Sequence, residues 1–430
     1  MNLKLTKRRT ALIVLFSLIL FYAFGTGFAF FFKLLYAMVV LLAIGLVWAW
    51  LNLRGLQVQL TRFSHRGQVG GYLDGQIRVI NGNRLPKSWL EVTEVTDLPD
   101  YSSGRGIGLV RDQSRAWRVE SHLARRGVFH VGQVEITSQD PFGLFRLSRR
   151  FLTPQDYIVL PAAEPLPDLD PRLASLPADS RVNRRTAHIT PDSSRIREYS
   201  YGDSYRRIHW PYTARLNTLM VKEFDMGISA ETWVLLDMYR TAHVSVDLVD
   251  NTEELAVTTA ASLFNRLVDL SMPVGLAANG QQIHLHRPDS SPGQLGKLME
   301  DLATVQALGN VSLERFIYDL RPHLSRFNTL IVITPSRRTE WVTALSTLRR
   351  QGVSVAAIYI NPVEFGAPAE TGSPIESLFS SEVPVYQVKR GQGINEALRA
   401  PLQREIASPV AATSPSSDPS SGSRDLNDSR

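Results

Sequence analysis

The N-terminus is the most apolar part of the chain. Residues 11–51 form a nearly continuous hydrophobic run, interrupted by Thr26, Lys33 and a few weakly polar groups. One membrane span needs about 20 apolar residues, so this run predicts two transmembrane helices with a tight turn at residues 25–27. Basic residues flank both ends of the run, which predicts a hairpin anchor over residues 1–53 whose two ends stay in the cytoplasm.

Two other membrane arrangements could produce a similar apolar run. A cleaved signal peptide also starts with basic residues, but its apolar core is normally about 7–15 residues long and precedes a site of small residues. The run here is much longer and lacks such a site, so the sequence argues against cleavage. A single tilted or re-entrant span is the lesser alternative and would place the rest of the chain outside. We therefore expect a multi-pass protein of the cell membrane with cytoplasmic soluble domains.

Residues 54–160 show the period-two alternation of β-strands. The runs 56–60 and 76–80 alternate apolar and polar residues, and Gly-rich turns separate such runs. This pattern predicts a small antiparallel β-sandwich. The segment 140–145 reads as a Pro- and Gly-containing turn whose two Phe rings plug the sandwich. Residues 161–196 have no sustained periodicity and predict a linker or an extended strap.

The second half of the chain has a different pattern. Uniformly apolar runs such as 329–334 and 353–359 alternate with segments such as 252–270, whose apolar residues recur at helical spacing. Strands that are apolar throughout are typical of a parallel sheet covered on both faces. We therefore expect a doubly wound α/β domain over residues 225–400. Residues 401–430 are rich in Ser, Pro, Asp and Ala and predict a disordered tail.

Composition narrows the classes of function. The formal net charge of +6 over 430 residues is mild, and basic residues beside membrane spans often produce it. Arginine pairs such as 125–126 are typical of solvated faces, so no nucleic-acid surface is predicted. The chain has no cysteine, which excludes disulfides, thiolate metal sites and cysteine nucleophiles. It has no Gly-rich phosphate loop either, and we predict no cofactor.

The segment 197–224, which we call the signature segment, has the composition of a site. It contains four arginines, four tyrosines, a Trp and a His, a set that amphipathic periodicity does not produce. Asp203, after Gly202, is placed to cap a helical turn from which Arg206 and Trp210 project. Pro211 is expected to end or reset that turn. Arginine forks beside aromatic rings are suited to a carboxylate or phosphate on a partner.

Other interpretations of the signature segment stay open. One is an inter-domain staple, in which arginine–carboxylate pairs lock the sandwich to the α/β domain. Asp203 and His209 form a conceivable acid–base pair of an envelope-linked enzyme, although six residues of separation do not place them on one helical face and no third group stands out. His284 and His286 alternate on one strand face, which is usually an exposed strand and only rarely a metal site.

The segment also resembles a known family. The pattern Arg197-x-Tyr199-x-x-Gly202-Asp203-x-x-Arg206-x-Ile208-x-Trp210-x-x-Thr213-Ala214-Arg215, then Val221-x-Glu223, is similar to the signature of the "domain of unknown function fifty-eight" family. Residues 126–129, the 140–145 turn and the two-span N-terminus look like the upstream region of that family. The resemblance implies a von Willebrand factor A-like domain after the signature segment. It also implies a membrane protein that works with a MoxR-type AAA+ ATPase.

One feature departs from this resemblance. A von Willebrand-type site for Mg²⁺ uses Asp-x-Ser-x-Ser with a Thr and an Asp from later loops, all oxygen ligands. Here the run is Asp237-Met238-Tyr239-Arg240-Thr241, and the later loop Thr334-Pro335-Ser336 lacks the Asp. We therefore predict a degenerate site at Asp237, Tyr239 and Thr241 that holds no metal. Asp237 would instead be satisfied by Arg240 or by backbone donors.

The leading hypothesis is a non-enzymatic, membrane-anchored scaffold or adaptor. Its partners are the lipid bilayer and a protein, with a MoxR-type AAA+ ATPase as the candidate. Arginines 197, 206 and 215 would recognise an anion, Tyr199 and Trp210 would pack, and Asp203 would organise the turn. The full binding set is Arg197, Tyr199, Gly202, Asp203, Arg206, Trp210, Arg215 and Glu223. The alternatives are the Asp203/His209 enzyme and a Mg²⁺-dependent adhesion module.

Overall fold

The computed structural model describes residues 7–173, 195–200, 208–223, 231–247, 249–368 and 374–403. The described chain begins with two helices, continues through ten strands and a small ribbon, and ends in an α/β layer structure. Most of the predicted linker, residues 174–194, lies outside the described residues, and so does the tail beyond residue 403.

The N-terminal helices are α1 (Lys7–Thr26) and α2 (Ala29–Leu53). Gly27 between them adopts φ +66°, which glycine tolerates without strain, and the rings of Tyr22 and Phe31 stack across the junction with centroids 5.5 Å apart. Among the described residues, α2 is the one helix long and apolar enough to cross a membrane, and residues 10–26 form a shorter apolar helix. The N-terminus therefore offers one candidate span.

The β-rich region is antiparallel, as predicted. Two of its sheets, β1-β3-β6 and β5-β4-β8-β9, are antiparallel throughout, and a third, β2-β10-β7, contains one parallel pair. The strands are β1 (Leu56–Arg62), β2 (Arg66–Gln68), β3 (Tyr72–Asn81), β4 (Lys87–Val95), β5 (Arg105–Leu109), β6 (Ser114–His122), β7 (Gly127–Val131), β8 (Gln133–Gln139), β9 (Arg146–Phe151) and β10 (Gln155–Leu160). Alternate residues of the first two sheets, such as Ile77, Val92 and Ile136, are buried in one core. Period-two alternation thus places one face of each sheet in that core.

The 140–145 turn differs from its prediction. Phe142 is 53% exposed, so its ring does not plug the sandwich. The ring of Phe145 lies instead against α2. A Cβ atom added at Gly45 would lie 3.4 Å from Phe145 Cδ2. The sequence pattern predicts that both Phe rings pack in the sandwich, because an apolar residue beside a strand is normally buried in its own domain. A neighbouring apolar helix provides a second partner that the local pattern does not show.

The signature segment contributes a two-stranded antiparallel ribbon and a short helix. They are β11 (Arg195–Glu198), α3 (Trp210–Leu216) and β12 (Met220–Glu223). Between these parts, residues 201–207 lie outside the described residues.

The C-terminal region is a six-stranded sheet with helices on both faces. The sheet order is β15-β14-β13-β16-β17-β18, and neighbouring strands are parallel except for the antiparallel edge strand β15. The elements are β13 (Thr232–Leu236), α4 (Thr252–Asp269), β14 (Val274–Asn279), β15 (Ile283–Asp289), α5 (Gln294–Thr304), α6 (Leu313–Leu320), β16 (Thr329–Thr334), α7 (Glu340–Arg350), β17 (Ser354–Ile360), α8 (Pro374–Ser380), β18 (Val385–Val388) and α9 (Ile394–Ala397). The uniformly apolar strands therefore predicted the mixed α/β architecture correctly.

Both faces of this sheet are buried. Val234 and Leu236 of β13 pack with α4, α5 and α9, whereas Trp233 and Leu235 pack with α6, α7 and α8. Residues 161–173 also join the α4 face, because their three leucines, Leu166, Leu169 and Leu173, are buried in that core. This part of the predicted linker or strap is therefore packed against the sheet layer.

Candidate functional site

The ribbon brings the two ends of the signature segment together. Arg197 of β11 lies opposite Val221 of β12, and Arg195 lies opposite Glu223. Ile208 forms a further bridge to Val221. The backbones of Arg197 and Glu223 thus occupy one ribbon, two residues apart in register. The predicted site residues Gly202, Asp203 and Arg206 lie outside the described residues.

Helix α3 begins at Trp210, beside the proline that was expected to end or reset a helical turn. Pro211 stands in its first turn, where the missing N–H has no intrahelical partner to lose. His209 is the N-cap, and its ring Nδ1 accepts a hydrogen bond from the Tyr212 N–H at 3.2 Å. Because that nitrogen is an acceptor, neutral His209 carries its proton on Nε2. The geometry gives His209 a capping role, and its proposed partner Asp203 lies outside the described residues.

Helix α3 is exposed over most of its surface. Trp210 is 64% exposed, and Tyr212 and Leu216 are also exposed, as is Leu219 just before β12. Arg215 is exposed in the last turn of the same helix. By contrast, Ile208, Met220 and Val221 are buried. The ribbon is therefore partly covered, whereas α3 is an open helix that carries Trp210 and Arg215 from the predicted binding set. Tyr199, also in that set, is half-buried, and its N–H donates to the Leu219 carbonyl at 2.8 Å.

A second polar cluster lies at the carboxyl ends of three neighbouring strands. The Asp237 carboxylate follows β13 and is fully buried. Its Oδ2 accepts from Thr334 Oγ1 at 2.7 Å, and its Oδ1 accepts from the Tyr239 N–H at 3.1 Å. The Asn279 side chain lies 3.4 Å from Oδ1 and accepts from the Met238 N–H at 2.6 Å. These bonds join the ends of β13, β14 and β16.

His243 extends this cluster toward α4. Its Nε2 lies 2.7 Å from the Asp237 carbonyl oxygen, and its Nδ1 lies 3.1 Å from Oγ1 of Thr252, the first residue of α4. Burial raises the pKa of the Asp237 carboxyl and lowers the pKa of the His243 imidazole, since each charged form loses its hydration. Both shifts favour the neutral forms. The sequence did not single out His243 or Asn279, although Asn279 directly follows an apolar run.

Asp237 is also part of the predicted degenerate metal site. The carboxylate oxygens of Asp237 already accept hydrogen bonds from protein donors, including the backbone N–H of Tyr239. The Arg240 side chain and Thr241 are exposed, so Asp237 is satisfied by backbone and side-chain donors and not by Arg240 as the sequence had also allowed. Across the described ranges, no group of three or more His, Cys, Asp or Glu residues is arranged to hold a metal ion.

A buried arginine joins the sandwich to the α/β domain. Arg126 precedes β7, and its side chain is only 3% exposed. Its Nη2 lies 2.7 Å from Glu253 Oε1 and 2.8 Å from the Val305 carbonyl oxygen, and its Nη1 lies 2.6 Å from Glu254 Oε2. Burial raises the pKa of Glu254, and the Arg126 charge opposes that shift. We call this group the Arg126 clasp.

The Arg126 clasp corrects the expectation for the arginine pair 125–126. Arg126 is not on a solvated face, because its guanidinium forms ion pairs with two carboxylates at the N-terminus of α4. A cavity of about 210 Å³ beside the clasp is lined by residues of both domains. A more exposed pair, Arg66 and Glu300 at 2.6 Å, also joins β2 to α5. Inter-domain stapling by arginine therefore occurs outside the signature segment.

Comparisons with solved structures return low scores. A structure of proximal thread matrix protein 1 from the mussel byssus is 14% identical, covers 40% of this chain and 46% of its own, and has a TM-score of 0.29. The CARDB domain of a Pyrococcus furiosus protein is 12% identical, covers 24% of this chain and 91% of its own, and has a TM-score of 0.19. Scores this low carry no argument about function.

A family comparison is more informative. No curated protein matches the chain. A family model described as "Protein of unknown function DUF58" matches residues 195–364. The match begins at β11 and extends to the 3-10 helix Pro362–Phe365, so it includes the signature segment and the Asp237 cluster. Over residues 195–364 the chain is therefore similar to the DUF58 family, the same family that its arginine–tyrosine motif resembles.

Proposed function

We propose that this protein is a membrane-anchored, non-enzymatic scaffold or adaptor. In this proposal the N-terminal helices hold the molecule in the cell membrane, and the sandwich and α/β domain lie in the cytoplasm. The signature segment binds a protein partner. The observation that carries the proposal is the exposure of α3, which presents Trp210, Tyr212, Leu216 and Arg215 to solvent.

The anchor is proposed as a two-span hairpin. Helix α2 supports it by length and composition, and the shorter α1 supports it by its contact with α2 through stacked rings. Basic residues precede α1 and follow α2 in the sequence. A positive charge on both flanks favours a topology with both ends in the cytoplasm.

The α/β domain is proposed as von Willebrand factor A-like. In chain order its strands are arranged 3-2-1-4-5-6, with the third strand antiparallel at the edge. Open sheets of this kind bind ligands outside the carboxyl ends of their strands, where the strand order reverses. Asp237 lies at that edge, but its hydrogen bonds to Thr334 and Tyr239 favour a structural role. We therefore assign partner binding to the signature segment and not to this edge.

The partner is proposed to be a MoxR-type AAA+ ATPase, as the family resemblance implies. Large aromatic side chains and arginine are the residue types that dominate binding energy at protein interfaces. Trp210, Tyr212 and Arg215 provide these types within one helix of seven residues. Holding them exposed gains nothing for folding, because their apolar surface stays in water.

A site-specific photocross-link tests this proposal. A photoreactive amino acid replaces Tyr212 in the intact protein in its native membrane, and the captured proteins are identified by mass spectrometry. Tyr318 on α6 is a matched control, since the two tyrosines are 43% and 42% exposed. We expect capture of an AAA+ ATPase from position 212 and not from position 318, with the same cross-link between the two purified proteins.

The outcomes separate the interpretations. Loss of capture in Arg215→Glu, with an unchanged circular dichroism spectrum, would support anion recognition by Arg215. Cross-links from position 212 that reach only the sandwich or the α/β domain of the same chain would overturn the adaptor proposal. They would instead assign the segment to inter-domain stapling.

A further inference from the structure

The junction between α2 and the sandwich is rigid. Lys87 of β4 is buried, and its Nζ donates to the carbonyl oxygens of Leu51 at 2.6 Å and Arg54 at 2.9 Å. Leu51 lies in the last turn of α2 and its carbonyl oxygen also accepts from the Arg54 N–H at 3.3 Å, whereas Arg54 is the C-cap. A second attachment lies six residues before Leu51, where Gly45 packs on Phe145. Two attachments along one helix fix the orientation of the sandwich relative to α2.

The length of α2 sets the depth of this junction. Its 25 residues extend over roughly 37 Å at about 1.5 Å per residue. A hydrocarbon core about 30 Å thick uses about 20 of them, so a crossing that starts at Ala29 ends at about residue 48. Trp48 and Trp50 stand at that level and are exposed, as interfacial aromatics are. Gly45, and with it the 140–145 turn, therefore lies at the edge of the hydrocarbon.

The 140–145 turn has the chemistry that such a position requires. Backbone groups that face lipid must be satisfied internally. Asp140 is buried, and its carboxylate accepts from the N–H groups of Phe142 at 3.0 Å and Phe145 at 2.5 Å. The Gly143 N–H donates to the Asp140 carbonyl oxygen at 3.0 Å. The turn thus presents the exposed Phe142 ring while its polar backbone is turned inward.

Strand β9 adds positive charge directly after the turn. Arg146, Arg149 and Arg150 are exposed. Arg146 pairs with the exposed Glu91 at 2.7 Å, and Arg150 lies 3.8 Å from Glu135. The Arg149 guanidinium lies over the Phe151 ring, 5.0 Å from its centroid. A strand rises about 3.3 Å per residue, which places the backbone of Arg149 about 13 Å from the end of the turn and leaves Arg146 directly beside it.

We propose that the 140–145 turn and the arginines of β9 form a contact surface for an anionic lipid leaflet. Phe142 inserts at the level of the headgroups, and Arg146 and Arg149 interact with the lipid phosphates. Bound in this way, the sandwich is held against the membrane at a fixed height. The inference rests on the proposed membrane anchor, and it is independent of the proposed protein partner.

The test uses single cysteines, which the cysteine-free chain makes unique labelling sites. Phe142→Cys in the full chain receives an environment-sensitive fluorophore after reconstitution into phosphatidylcholine vesicles with and without phosphatidylglycerol. Leu152→Cys is the matched control, because Leu152 is 44% exposed and follows the far end of the same strand. Val39→Cys, in the middle of α2, reports on the anchor itself.

We expect the label at position 142 to shift to the blue and to lose quenching by aqueous iodide in anionic vesicles. The label at position 152 should remain fully quenched, and the paired charge reversals Arg146→Glu and Arg149→Glu should restore quenching at position 142. Equal iodide quenching at positions 142 and 152, with position 39 protected, would overturn the inference while leaving the anchor intact. Equal protection at position 142 in phosphatidylcholine alone would also overturn it, because no anionic headgroup would then be needed. Quenching at position 39 would show that the anchor itself has failed.

Discussion

The Arg126 clasp and the exposed helix α3 use arginine in opposite ways. In the clasp, a side chain that is 3% exposed meets two carboxylates and a carbonyl oxygen that belong to another domain. On α3, Arg215 is exposed beside Trp210 and Tyr212. From the sequence alone, Arg215 belonged to a segment that could staple two domains, whereas the arginine pair 125–126 was expected on a solvated face. Burial distinguishes them, because an arginine that has lost its hydration must have its partners within its own chain.

The Arg126 clasp bears on the staple interpretation of the signature segment. The staple interpretation needed buried arginine–carboxylate pairs between the sandwich and the α/β domain, and Arg126 with Glu253 and Glu254 forms such pairs elsewhere. The exposed helix α3 has the opposite character, since its apolar area stays in water. Interfaces that form between separate proteins draw on surfaces of this kind.

The largest effect is expected at the clasp. Arg126→Ala leaves Glu253 and Glu254 largely buried without their cation, and breaking a buried pair in this way costs about 3–5 kcal/mol. We expect a free energy of unfolding lower by that amount when the full chain in detergent is unfolded in urea. Arg125→Ala removes the same group from a half-buried neighbour and should cost much less. An unchanged unfolding midpoint in Arg126→Ala would show that the clasp does not hold the domains.

A smaller loss is expected at the carboxyl edge of the sheet. Thr334→Val keeps the shape of the side chain but removes the hydroxyl that donates to Asp237 Oδ2. An acceptor left unsatisfied in the interior costs about 1–3 kcal/mol. Thr339→Val is the control, because Thr339 is exposed and its side chain caps no helix. Equal unfolding midpoints for the two variants would contradict a structural role for Asp237.

Substitutions on α3 should hardly change stability. Trp210→Ser and Leu216→Ser alter exposed side chains, and surface changes are usually within about 0.5 kcal/mol. We expect urea midpoints equal to that of the parent protein, together with loss of the AAA+ ATPase cross-link from position 212. A loss of stability comparable to that of Arg126→Ala would place this helix against another part of the protein. The contrast with the clasp would then disappear.

The smallest effect concerns an exposed charge pair of the sandwich. A hydrogen bond from the His130 ring to Asp97, at 3.0 Å, raises the pKa of His130 above its ordinary value. Because the folded-state pKa is raised, the stabilisation is full below the ordinary pKa of about 6.5 and is lost as pH rises through the folded-state pKa.

Histidine NMR titrations of the parent protein and Asp97→Asn measure this effect directly. The variant keeps a side-chain oxygen that can accept from the His130 backbone N–H, but its NH2 group replaces the oxygen that accepts from the His130 ring. Both the charge and the ring hydrogen bond are therefore removed. We expect the His130 pKa to fall in the variant and the stability of the two proteins to converge at alkaline pH. An identical His130 pKa in both proteins would show that the pair is not formed in solution.

The hydrophobic periodicity predicted the strands correctly where all strands of a sheet are buried in the same way on their two faces. The apolar runs of β13, β16 and β17 predicted a sheet covered on both faces, and the alternation in β1 and β3 predicted an antiparallel region. Periodicity did not show that Phe142 stays exposed or that the ring of Phe145 lies against α2. Pro211, which was expected to end or reset a helical turn, stands in the first turn of α3.

The sequence by itself determined the apolar N-terminus, the two classes of β-structure and the motif shared with the DUF58 family. These features depend on local spacing and residue type, which are read directly from the sequence. Only the tertiary structure decided that Arg126 is buried, that Asn279 and Thr334 converge on Asp237, and that Trp210 stays exposed. Burial and hydrogen-bond partners join residues far apart in the chain. An arginine in a sequence therefore does not show whether water or a second domain will surround it.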